Sequence, residues 1–111
     1  MTRTHIDGYR TRLRPGQAER YRRVHARIPE PVAAALRASG LVSWRIWVDG
    51  ETLFHAIETT DGRAEMLRRM AALGPIDPEW DALIGTLVND APDASRPLPL
   101  VWELSEEVAG H

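Results

Sequence analysis

The chain has 111 residues, 43% of them hydrophobic and 27% charged, with a formal net charge of −2. Those figures describe one ordinary soluble domain with a core of limited size. They exclude a membrane-spanning helix, which needs roughly 20 apolar residues in a row, and they disfavour a nucleic-acid surface, which needs a basic excess.

Two residue types are missing, and each absence removes a class of chemistry. There is no cysteine, so no disulfide, thiolate nucleophile or cysteine metal site is available. All 14 basic residues are arginine. Without lysine there is no Schiff base and no Walker A phosphate loop. GxSxG and GxGxxG are also absent. The opening "MTRTHIDGYR" has no signal-peptide core, so a cytoplasmic protein without membrane or nucleic-acid partners is expected.

"HIDGYRTRL", residues 5 to 13, reads as a first strand, with Tyr9, Thr11 and Leu13 alternating against arginines. "RPG" at 14 to 16 breaks it. A helix is expected from Gln17 to Arg27, with apolar positions at Ala18, Tyr21, Val24 and Ile28 on one face. Its arginines form a solvated face. Pro31 opens a second helical stretch that stops at Gly40, so the connection reads as one long helix kinked near Pro29. "LVSWRIWVDGETLFHAIETT" reads as a hairpin, with Asp49-Gly50 as the centre of a type I′ turn. An amphipathic helix over 62–73 follows. "GPIDPEW" interrupts it, and a shorter helix starts at Pro78. "LPLVWEL", residues 98–104, reads as a last strand, and 105–111 as a loose tail.

The order strand, helix, strand, strand, helix, strand is the α+β, ferredoxin-like βαββαβ pattern. It predicts a single domain: an antiparallel four-stranded sheet with both helices on one face. Trp44, Trp47, Phe54 and Trp102 all fall in expected strands. A sheet face left bare with such residues on it points to a homodimer.

Two groups of side chains suit chemistry. Tyr21 and His25 are an i, i+4 pair on the inward face of the first helix. Two roles fit them. They can be satisfied core residues, or, beside a cavity, an imidazole that moves a proton near neutral pH and a phenol that orients a hydroxyl. Trp80 sits among Asp77, Glu79 and Asp81. It can be a core anchor, or the wall of a pocket in which the indole meets the C–H face of a sugar and carboxylates accept its hydroxyls. Trp44 could line the same cavity or simply pack in its strand. His5 and His55 lie in strands without metal-ligand spacing.

Taken together, "ERYRRVHARI", "WRIWVDGETLFHAIE", "DPEWDALI" and "LVWEL" resemble the L-rhamnose mutarotase family, over about Tyr9 to Leu104. The resemblance implies a homodimeric ferredoxin-like enzyme without metal or cofactor that interconverts the α and β anomers of L-rhamnose. It implies His25 as proton donor and Tyr21, Trp44, Trp80 and Asp81 at the positions that bind the monosaccharide. The chain departs from the family pattern twice. Trp44 replaces a tyrosine, and Asp81 replaces the second tryptophan of a pair. Rival expectations are a cofactor-free monooxygenase or cyclase on the same dimeric α/β barrel scaffold, and a non-catalytic small-molecule-binding domain.

Overall fold

A computed structural model describes residues 4–104; the expected tail 105–111, with His111, lies outside the described residues. Strand β1 spans His5–Arg12. Helices α1 (Ala18–His25) and α2 (Glu30–Ala38) follow. Strands β2 (Leu41–Asp49) and β3 (Thr52–Thr59) form the hairpin. Helices α3 (Arg63–Leu73) and α4 (Pro78–Gly85) precede the short strand β4 (Arg96–Leu98). The sheet order is β2-β3-β1-β4, with every neighbour antiparallel. This is the expected ferredoxin-like arrangement.

Burial along β3 shows why the sheet is one-sided. Leu53, His55, Ile57 and Thr59 are buried, while Phe54, Ala56 and Glu58 between them are not. A strand turns alternate side chains to opposite faces, so one face of β3 meets helices and the other does not. The register carries this across the sheet. Trp44, Ile46 and Val48 of β2 stand opposite Ile57, His55 and Leu53, and Tyr9 and Thr11 of β1 stand opposite His55 and Leu53. The outer face carries Ile6 and Arg10 from β1 and Phe54 paired with Trp47.

The inner face is closed by a small core of Leu13, Tyr21, Leu53 and Leu87, with Ala18, Val24, Ile46, Ile84 and Val88 packed around it. The segment after α4 is tied to the end of β1 by Arg14 N–H donating to the Leu87 carbonyl (2.8 Å) and Asn89 N–H to the Arg12 carbonyl (2.9 Å). Those bonds bring α4 to the same end of the sheet as α1.

Three expectations are corrected. First, the helical connection is two helices. Pro29 has extended backbone and caps α2, so its rigid φ serves as a helix start instead of a kink. Second, the hairpin centre is Gly50-Glu51, because Asp49 still pairs with Thr52. Gly50 alone has positive φ (62°), and a positive-φ glycine at the first central position is the type II′ pattern. The same turn is fastened to the β1–α1 turn. Leu13 N–H donates to the Glu51 carbonyl (2.8 Å) and Gly16 N–H to the Glu51 carboxylate (2.7 Å). Third, the last strand is Arg96–Leu98, and residues 99–104 run on without a ladder partner among the described residues. Trp102 is therefore not a strand residue and is 75% exposed. The proline at 99 removes a donor just where the ladder would continue.

Ile57 is 1% exposed and lies at the centre of the inner face. Ile57→Ala should lower unfolding stability by about 2–5 kcal/mol without changing the fold. Urea denaturation followed by circular dichroism checks this.

Candidate active site

Helix α1 aims two functional groups inward because Tyr21 is anchored in the core. Its side chain is buried beside Leu13, Leu53 and Leu87. One turn later, the His25 ring stacks on the Tyr21 ring with centroids 4.0 Å apart and planes at 27°. His25 Nδ1 lies 3.2 Å from the backbone carbonyl of Tyr21. A carbonyl only accepts, so Nδ1 carries the hydrogen. In the neutral ring, Nε2 then holds the lone pair. Burial lowers the His25 pKa, partly offset by that hydrogen bond. Burial also pushes the Tyr21 phenol up to about 12, so it stays protonated.

Helix α4 supplies the third member. Its cap is Asp77, whose carboxylate accepts the Trp80 N–H at 3.0 Å, with Pro78 in the first turn. The cap fixes where the helix begins and hence where Trp80 points. Trp80 meets the edge of His25 at 5.4 Å between centroids and 62° between planes. Tyr21, His25 and Trp80 thus form one continuous aromatic group.

Two hollows flank this group. One, of about 260 Å³, lies between α1 and the β2–β3 hairpin and is lined by Tyr21, Arg22, His25 and Ala26 from the helix and Ile46, Trp47, Val48 and Leu53 from the hairpin. The other, of about 440 Å³, lies at the α1–α2 connection beside Arg27, Ile28, Glu30 and Trp80. Both are near the small end of ligand sites, which run to roughly 1,000 Å³.

The sheet floor adds a hydrogen-bonded chain. The Trp44 indole N–H donates to His55 Nδ1 at 3.0 Å. His55 Nε2 lies 2.8 Å from the Thr11 hydroxyl. The His55 pKa is lowered to about 4, first by burial and then by the nearby positive charges of Arg63 and His25. Arg63 lies with its guanidinium carbon 3.8 Å from the centroid of the Tyr9 ring.

The sequence profile of the L-rhamnose mutarotase family matches residues 8–108. A curated L-rhamnose mutarotase of Burkholderia ambifaria is 35% identical over 94 residues, covering 81% of this chain and 85% of the relative. One from Burkholderia orbicola is 35% identical over 97 residues, covering 86% and 89%. The chain belongs to the L-rhamnose mutarotase family. It is therefore an enzyme of the isomerase class. The crystal structure of an L-rhamnose mutarotase from Formosa agariphila superposes with a TM-score of 0.70 at 22% identity, over 91% of this chain and 99% of that one. Tetracenomycin F2 cyclase from Streptomyces glaucescens, a type-II polyketide cyclase, superposes at 0.60 with 17% identity, over the same shares. These two likenesses show the fold.

Set against the site residues expected from the sequence, the structure gathers some and separates others. Tyr21, His25 and Trp80 are together. Trp44 is on the same sheet face and is held to His55. Asp81 is exposed on α4, and so is Glu79. Asp77 is occupied as a helix cap. Neither of the two hollows has Asp77, Glu79 or Asp81 in its lining. His5 is exposed, and His55 has both ring nitrogens engaged. Among the described residues no three His, Asp or Glu side chains are gathered in a metal-binding group. The sequence offered His55 only as a candidate metal ligand, and its place in this hydrogen-bonded chain was missed. The available signal was its place between Leu53 and Ile57 on the buried side of β3, in phase with Trp44.

The lowered pKa of His55 has a thermodynamic consequence. The unfolded chain takes up a proton near the ordinary histidine pKa of 6.5, whereas the folded protein resists until about 4. Stability should fall as pH drops from about 6.5 toward 4, because the unfolded state binds more protons there. Urea midpoints measured between pH 7.5 and 5 should decline, and the decline should be shallower in His55→Phe.

Proposed function

We propose that this chain interconverts the anomers of L-rhamnose or a related 6-deoxy sugar, with His25 moving the proton. Membership in the family supports the substrate class. The observation that carries the mechanism is the hydrogen bond from His25 Nδ1 to the Tyr21 carbonyl, which leaves Nε2 as the free, basic nitrogen of a ring that lines a pocket.

The reaction needs no more than that. Nε2 takes the proton of the anomeric hydroxyl as the bond between the anomeric carbon and ring oxygen breaks. The imidazolium so formed gives that proton to the ring oxygen. Rotation of the open-chain aldehyde about its first carbon–carbon bond and reversal of both transfers give the other anomer. His25 is the proton donor at the ring oxygen, and no atoms are gained or lost. A depressed pKa makes the imidazolium a stronger acid toward a weakly basic ether oxygen. Tyr21, held protonated, offers a hydroxyl to the sugar, and Trp80 offers an aromatic face for its C–H groups.

The enzyme acts as a homodimer in the cytoplasm, and a second copy covers the outer sheet face. Trp47, 56% exposed, pairs with Phe54 there, and Ile6 is 64% exposed. Apolar side chains of that size on one face, bordered by Arg10, Arg45 and Glu58, have the composition of an interface core with a polar rim. Trp47→Glu should shift the sedimentation coefficient from that of a dimer to that of a monomer.

One observation favours a second reading. Among the described residues no carboxylate lines the 260 Å³ pocket, and such a lining suits the flat apolar substrates of cyclase-type enzymes on this scaffold. Family membership weighs more. Saturation-transfer NMR across a panel of monosaccharides discriminates the two readings, since only the first gives anomer exchange, strongest with L-rhamnose.

His25→Ala should keep the fold and slow anomer exchange by about 10²- to 10⁴-fold. With the parent protein the rate should be flat above neutrality and fall as pH drops through the lowered His25 pKa, because the neutral ring starts the reaction. A rate that rises on acidification would reverse the order of the two transfers.

A further inference from the structure

His55 is not used by the reaction just described, yet it is 8% exposed and bonded at both nitrogens. A buried histidine so fully satisfied fixes its neighbours as firmly as itself. The direction of each bond follows from chemistry. An indole N–H only donates, so the Nδ1 it meets must be the unprotonated acceptor. The hydrogen then sits on Nε2 and is donated to the Thr11 oxygen. The donor-only Trp44 indole on β2 therefore selects the tautomer of His55 on β3, and the Thr11 hydroxyl on β1 accepts the hydrogen that this tautomer leaves on Nε2.

The capture matters because the Trp44 side chain is not fully enclosed. It is 39% exposed. Its ring lies at 5.9 Å from the His55 ring, tilted by 54°, so neither ring stacks on the other. The resemblance read from the sequence implies a sugar-binding tyrosine at the position of Trp44. A tyrosine would present a hydroxyl. This tryptophan has its single polar atom occupied and presents only its ring.

We infer that His55 is a positioning residue: through the Thr11–His55–Trp44 chain it holds the Trp44 indole as a fixed, apolar wall for the sugar. The sugar-binding half of this inference rests on the mutarotase reading, whereas the hydrogen-bonded chain does not.

The experiment has two arms that fail independently. The first uses sugar-free protein. The Trp44 indole N–H resonance, assigned by its loss in Trp44→Phe, is expected to be protected from exchange with water. It should lose that protection in His55→Phe, which keeps a ring but removes the acceptor, and regain it in His55→Asn, whose amide oxygen falls near the Nδ1 position. Thr11→Val, a milder change, should also weaken protection by leaving the His55 Nε2–H without its acceptor, and it serves where His55→Phe does not fold. An unprotected indole in the parent protein overturns the chain. The second arm follows anomer exchange of L-rhamnose. Loss of the chain should raise KM by roughly 3- to 10-fold, the worth of one hydrogen bond, with kcat little changed. An unchanged KM alongside a released indole overturns the wall. A parent protein that exchanges no sugar's anomers overturns the wall together with the mutarotase reading, and the first arm still decides the chain.

Discussion

The burial of one phenol ring organises the site. Tyr21 is wedged among Leu13, Leu53 and Leu87, and that anchorage fixes both the rotation and the depth of α1. Everything proposed for His25 follows from it. The imidazole leans on the anchored ring, and its Nδ1 is claimed by the carbonyl of the same residue. A residue that packs by its ring and directs by its backbone serves the core and the chemistry at once. The two roles that the sequence offered as alternatives, core residue or functional pair, are therefore compatible.

The architecture explains why so small a protein can spare a cavity. Helices cover only one side of the sheet, so the buried core is thin, and the pocket opens at its border and not through its middle. The outer side keeps Trp47 and Phe54. Those residues are large for an exposed strand surface, and a partner that covers them would add apolar burial to that of the thin inner core.

Much of this was legible in the sequence, for identifiable reasons. Trp44, Ile46 and Val48 fall at every second position of β2, so their shared face was legible, although Trp47 and Phe54 on the other face left open which side is buried. The i, i+4 spacing of Tyr21 and His25 placed them on one face. Pro78 was read correctly as a helix start, whereas α2 begins at Glu30, one residue before the expected Pro31. Other features depended on geometry that spacing does not encode. "WVDGET" contains two tight-turn solutions, and only pairing of Asp49 with Thr52 selects between them. "LPLVWEL" has strand composition, but its ladder partner is not in the local sequence. The acids near Trp80 read as ligands for hydroxyls, whereas Asp77 satisfies a backbone N–H at the helix start. His55 stayed hidden because a histidine in a strand gives no sign of its tautomer until its neighbours across two strands are known.

The bonds from Glu51 to Leu13 and Gly16 give the hairpin tip an unusual status. Tips of this kind are ordinarily the first place to splice a tag or lengthen a loop. Here the tip is riveted to the turn that launches α1, while the strands on either side of it supply Ile46, Val48 and Leu53 to the pocket. Helix and hairpin are in effect one jaw, so tinkering at a spot remote from His25 would be transmitted straight to the imidazole.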